Sequence, residues 1–149
     1  GQVLTQYIPL MYVLAMAIDA IAALILGSLF DKFGIKVLIF STIISLLFAP
    51  LVFFGNFITA ILGMICWGIG MGSQESIIRA QLAKILPKNK RGRGFGIFNA
   101  VFGASWFLGS FIMGFLYDKE ITLVVIFSVL IQVLSLPIFI KIKGLKTTM

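Results

Sequence analysis

Five apolar runs, each close to the length of a lipid-spanning helix and separated by short joints, constrain this chain more than any other feature. They cover approximately 8–30, 37–54, 57–80, 95–117 and 121–140. A helix needs about 20 such residues to cross the hydrocarbon layer. Open backbone polar groups are not tolerated there, so runs this long and this apolar predict helices. The totals agree: 60% of the 149 residues are hydrophobic and 11% charged, with a mean hydropathy of +1.14. A soluble domain carries about a quarter charged residues. The expectation is an all-α membrane protein with five transmembrane helices.

The joints decide the topology. The first two runs meet across residues 31–36, so they form a hairpin whose tip, Gly27-Ser28-Leu29-Phe30-Asp31-Lys32-Phe33-Gly34-Ile35-Lys36, lies at one membrane surface. Its opening recurs as Gly114-Phe115-Leu116-Tyr117-Asp118-Lys119, again at the end of an apolar run. If the 31–36 joint, the 81–94 joint and the C-terminal tail share a side, ten of the twelve basic residues lie there. Under the positive-inside rule that side is the cytoplasm, which places the C-terminus inside and the N-terminus outside, in the plasma (inner) membrane. An N-out start, and a Gly1 where Met is usual, imply a longer polypeptide with helices upstream.

The net charge of +7 does not indicate nucleic acid, because the basic residues gather at the ends of apolar runs. Arg91-Gly92-Arg93-Gly94-Phe95-Gly96 looks like an arginine–glycine segment in isolation, but it leads directly into a glycine-rich helix. The chain has no histidine and one cysteine, Cys66, so no metal site, haem or iron–sulfur cluster is expected, and a histidine general base is excluded. No cofactor is expected. Gly68-Ile69-Gly70-Met71-Gly72 lies inside an apolar run with no strand before it and is not a nucleotide loop.

Asp19, near the middle of the first run, is the leading candidate for chemistry. A carboxylate at that depth costs several kcal/mol unless paired, hydrated or protonated, so it marks a proton- or substrate-coupling site by default. The competing reading is a structural aspartate permanently paired with a basic group on a helix outside this sequence. Ala15, Asp19, Ala23 and Gly27 recur every four residues and share one face; such small stripes let helices approach closely. Gly68, Gly72, Ser76 and Ala80 make a second stripe, and Gly92, Gly96, Ala100 and Ala104 a third. These glycines are expected to pack helices together. Glu75 and Arg79 stand four apart and can pair within their helix, as an ionic latch near the membrane surface. Trp67, Trp106, Phe102 and Phe107 either line an apolar cavity or simply pack. Gln132 fits an interhelical hydrogen bond better than a ligand contact. Pro50 and Pro137 are expected to kink or fray their helix ends.

Gly27-x-Leu29-x-Asp31-Lys32-x-Gly34-x-Lys36 resembles the signature loop of the major facilitator superfamily, found between helices 2 and 3 and, more loosely, between helices 8 and 9. Pro87 with Arg91, Gly92 and Gly96 resembles that family's entry into helix 11, and Gly114 to Asp118 its exit. Ile35 stands where the motif has a basic residue, which fits the looser copy. The resemblance implies helices 8 to 12, most of the C-terminal six-helix half of a twelve-helix fold, with Gly1–Tyr7 as a loop from helix 7. Each half of such proteins is an inverted pair of three-helix repeats, which accounts for the echoed tips. It implies that Asp31 contacts the start of helix 5 in the missing N-terminal half of the polypeptide. It further implies that Lys32, Lys36, Glu75, Arg79 and Arg91 belong, with the signature loop, to a cytoplasmic gate. The function it implies is secondary active transport of a small-molecule substrate by alternating access. Protons are the expected driving force, because Asp19 is the one acidic residue near the membrane centre, with sodium as the alternative. The rival is a non-transporting membrane scaffold with the same fold.

Overall fold

The computed structural model describes residues 7–146, with side chains through Lys141. Most of the expected helix 7–8 loop, residues 1–6, lies outside them. Six helices follow in order: α1 (Ile8–Phe33), α2 (Ile35–Ser45), α3 (Phe48–Phe53), α4 (Phe57–Ile85), α5 (Arg91–Tyr117) and α6 (Ile121–Lys146). No strand occurs among the described residues. α2 and α3 together make one membrane-length unit, so five spans result, of 26, 19, 29, 30 and 21 residues. Their outer faces carry many exposed large apolar side chains, Leu24 and Ile85 among the most open. Lipid is the medium such a surface fits.

The helix ends at two of the joints depart from the sequence expectation. The 31–36 joint is not a loop: α1 runs to Phe33, Gly34 alone breaks the backbone, and α2 starts at Ile35. Gly34 has φ +63°, a conformation that side-chain-bearing residues rarely adopt, and its N–H closes α1 on the Phe30 carbonyl at 2.8 Å. Asp31 and Lys32 are therefore last-turn helical residues and Lys36 a first-turn one. The 81–94 joint is also shorter than expected. α4 continues to Ile85, a single 3-10 turn spans Lys88–Lys90, and α5 begins at Arg91. Polar residues at a helix end are compatible with helix, and α1, α4 and α5 extend through theirs.

The second span is broken in its interior. Pro50 has no N–H to give the Leu46 carbonyl four residues back, and its ring crowds that carbonyl. The chain turns at Leu46–Leu47, where the Leu47 N–H reaches the Ile44 carbonyl three residues away (3.1 Å), and α3 restarts at Phe48. Pro137 sits inside α6 without ending it. α4 is capped cleanly: the Asn56 side chain accepts hydrogen bonds from the Ile58 and Thr59 N–H groups, both at 3.0 Å.

α4 is the helix on which the others are assembled; it lies against α1, α2 and α3. Glycines make this possible. A Cβ on Gly68 would stand 2.6 Å from the Ala15 carbonyl oxygen of α1, and one on Gly72 would collide with the Asp19 carbonyl oxygen. On another face, Gly70 meets Ser45 of α2. Where lipid replaces water, helices are held by such close approach and by hydrogen bonds between them. Both occur. Ser73 Oγ of α4 donates to Ser41 Oγ of α2 (2.6 Å), and Ser45 Oγ donates to Gln132 Oε1 of α6 (2.7 Å). Near the Asp31 end, Phe30, Val37, Leu38 and Ile77 form a buried apolar cluster.

α5 differs. None of its residues is buried, and a Cβ on Gly92 or Gly96 would meet nothing within 4 Å. Among the described residues no helix lies against Gly92 or Gly96, so the close packing expected of these two glycines does not occur among them. Gly72→Ala is expected to destabilise the native gene product by about 1–3 kcal/mol through overpacking. Gly96→Ala is expected to be neutral or stabilising by up to about 1 kcal/mol, since alanine is the better helix former. Thermal unfolding in detergent separates the two; equal losses would refute this packing.

Candidate functional site

The signature residues gather at one end of the bundle. Asp31, in the last turn of α1, places Oδ1 3.3 Å from Lys84 Nζ in the last turn of α4. Both side chains are about two-thirds exposed (69% and 63%), so the pair orients the two helix ends more than it stabilises them. Lys84 is a partner that sequence reasoning had not singled out. Lys32 and Lys36 flank the Gly34 break on the exposed surface. Gly27, one turn inward, has no atom within 4 Å of where a Cβ would lie. Arg91 opens α5 and its Nε donates to the Leu86 carbonyl across the turn (3.4 Å). Glu75 and Arg79 stand deeper along α4, with Oε2 and Nη2 3.7 Å apart. Among the described residues no ion pair joins them to Asp31 or Lys84.

Asp19 occupies the tightest helix contact. Its carbonyl oxygen lies over Gly72, and its carboxylate Oδ1 is buried with no hydrogen-bond partner among the described residues. A buried carboxylate oxygen left without a donor carries its full desolvation penalty. Among the described residues no ion pair involves it.

A third feature emerges only in three dimensions. Between α4 and α5 lies a cavity of about 230 Å³, closed at the back by Ser45 of α2 and Gln132 of α6. On the α4 wall Glu75 and Arg79 face it. On the α5 wall Phe98, Phe102 and Trp106 form a column of rings, with centroids 5.8 and 6.4 Å apart. A second cavity of about 610 Å³ continues toward the Asp118 end, with Met113 and Tyr117 in its lining. Trp67 and Trp106 line both and so form the partition between them. Trp67 is held by Phe48, whose ring stacks on it at 5.7 Å, and by Tyr12 at 6.2 Å. Of the four aromatics weighed as cavity-lining, Trp67, Phe102 and Trp106 are so placed. Phe107 is instead exposed and stacks on Phe111 along α5 (6.3 Å). Gln132 makes the interhelical bond its isolation in an apolar helix suggested, and it also faces the cavity. Phe98 carried no sequence signal beyond its spacing from Phe102. No group of His, Cys, Asp or Glu able to hold a metal occurs among the described residues.

Five membrane-length helices, with the hairpin signature at one end of the bundle and a cleft between two of them, define an integral membrane protein of the helical-bundle class. The family model described as Major Facilitator Superfamily matches residues 4–145, and the chain belongs to that family. Its members are generally transporters rather than enzymes. The chain is similar to an uncharacterized protein of Mycobacterium tuberculosis, 31% identical over 143 residues, covering 96% of this chain and 35% of the relative. An uncharacterized protein of Mycobacterium bovis matches to the same extent. Autophagy-related protein 22 of Candida glabrata is 31% identical over 116 residues, 76% of this chain and 18% of that protein. The chain thus spans about a third of the length of its mycobacterial relatives. No solved structure matches it.

Asp31→Asn and Lys84→Gln are each expected to change unfolding free energy by less than about 1 kcal/mol, the usual range for exposed pairs. The double variant should cost no more than the worse single one. A double-mutant cycle by thermal unfolding in detergent checks this; a loss of several kcal/mol would make the pair a structural keystone.

Proposed function

We propose that the chain is helices 8 to 12 of a secondary active transporter that moves a small solute by alternating access, with Asp19 as the proton-coupling group. In this reading a six-helix half containing α1 to α6 rocks against an N-terminal half of the same polypeptide, exposing a midplane site to each side in turn. The Asp31 end, with Lys32, Lys36, Lys84 and Arg91, faces the cytoplasm of a plasma (inner) membrane protein, as the distribution of basic residues supports. Residues 31–36 and 84–91 then form the cytoplasmic closure.

One observation carries the coupling assignment: Asp19 Oδ1 is buried without a donor among the described residues, while the same residue's carbonyl oxygen lies against Gly72. A bound proton removes the charge and lets α1 and α4 stay closed. Its loss leaves a charge that must acquire water, which requires the contact to loosen. Proton occupancy and helix contact are thereby linked at one residue. Sodium would serve the same logic only with further oxygen ligands.

The test uses the native gene product in proteoliposomes supplied with a mixture of small metabolites, solute uptake being followed by mass spectrometry. An inward-acid or inward-alkaline pH gradient should drive at least one solute against its concentration gradient. Asp19→Asn should abolish that accumulation while leaving solute exchange within about threefold of wild type, because binding is retained and only coupling is removed. Undiminished gradient-driven accumulation in Asp19→Asn would refute the coupling role. Movement of no solute under any gradient would favour the scaffold.

A further inference from the structure

The 230 Å³ cavity between α4 and α5 has a chemical character of its own, and interpreting it rests on the transport reading above. Its lining holds one carboxylate and one guanidinium, Glu75 and Arg79, and so no net charge. The two do not satisfy each other. At 3.7 Å they are well beyond the roughly 2.7–2.9 Å of a tight charge-assisted hydrogen bond. A carboxylate with about four acceptor positions and a guanidinium with five donors thus remain open to a guest. Opposite them Phe98, Phe102 and Trp106 present a continuous aromatic wall. Gln132 has its Oε1 engaged by Ser45 Oγ at 2.7 Å, leaving its amide N–H₂ as a donor at the back.

From this arrangement we infer that the cavity is a binding site for a small zwitterion carrying an apolar or aromatic group, of the size class of an apolar α-amino acid. The guest's carboxylate lies on Arg79, its ammonium on Glu75, and its apolar group on the α5 rings. A guest with a single charge would pair with one of the two and leave the other, Arg79 at 52% or Glu75 at 33% exposure, with only water and the long contact to its neighbour. A zwitterion replaces the long Glu75–Arg79 contact with two short ones and keeps the cavity neutral. The rings add dispersion and, for the ammonium, a cation–π contribution. Glu75 and Arg79 therefore set substrate class here; they are not only a latch within α4.

The experiment is equilibrium binding to the purified native gene product in detergent, with three probes sharing one ring: L-phenylalanine, 2-phenylethylamine and 3-phenylpropionate. L-phenylalanine is expected to bind at least about tenfold more tightly than either single-charge probe, because it makes two charge-assisted hydrogen-bonded pairs where each of the others makes one. Arg79→Gln should move the preference toward the amine and Glu75→Gln toward the acid, opposite changes that a general structural defect cannot produce. Should either variant fail to fold, Arg79→Lys, Glu75→Asp and the wild-type order of the three probes still decide the matter. A single-charge probe binding as tightly as L-phenylalanine, absence of binding by all three, or equal weakening of all three by both variants would overturn the inference. Zwitterion selectivity in a protein that moves no solute in proteoliposomes would leave this site standing and remove the transport reading. Gradient-driven transport without this selectivity would do the reverse.

Discussion

The close approach of α1 to α4 is the interaction on which the remaining structure depends. Two membrane helices gain little from burying apolar side chains against each other, since lipid tails are equally apolar. What joins them is backbone proximity, and backbone proximity needs glycine. Gly68 and Gly72 let the α1 backbone, at Ala15 and Asp19, lie directly on α4. Gly70 then sets α4 against Ser45 of α2, one position from the broken turn that Pro50 imposes. With α4 so placed, hydroxyl and amide groups complete the assembly through the Ser73–Ser41 and Ser45–Gln132 bonds.

The same contact places the chemistry. Asp19 is at the seam because the stripe that makes the seam includes it, and its unpartnered Oδ1 makes the seam sensitive to charge. Two turns further along the same face of α4, Glu75 and Arg79 border the cleft toward α5, a helix with no buried residue. Trp67 of α4 is stacked on Phe48 of the second span and set at the partition between the two cavities.

How much of this could be seen in the sequence depended on whether the signal was local. Length and apolarity located the five spans because hydrocarbon admits few alternatives. Helix ends were harder to place. Asp31, Lys32 and Lys84 look like loop residues when judged by charge, yet each continues a helix, and the true break is the single Gly34 with its positive φ. Pro50 announced a disturbance, but its effect falls four residues earlier, at the carbonyl it cannot bond. The glycine stripes show the limit most clearly. Gly68 with Gly72 and Gly92 with Gly96 are alike in sequence, and only the first pair has a helix against it among the described residues. A stripe says that a neighbour could come close, not that one does. The pairing of Asp31 with Lys84, and the placing of the ring column across a cavity from Glu75, left no trace in a single sequence.

The most direct test of an alternately opening cleft is the solvent accessibility of its two ends in membranes. Single cysteines at Ile78, in the cavity beside Arg79, and at Ser110, in the cavity toward Asp118, would be introduced into the native gene product with Cys66 replaced by serine. Their alkylation by a membrane-impermeant thiol reagent would be followed with and without a pH gradient. Alternating access predicts reciprocal changes, one position becoming more reactive as the other becomes less so. Reactivities that rise and fall together, or that do not respond, would contradict it.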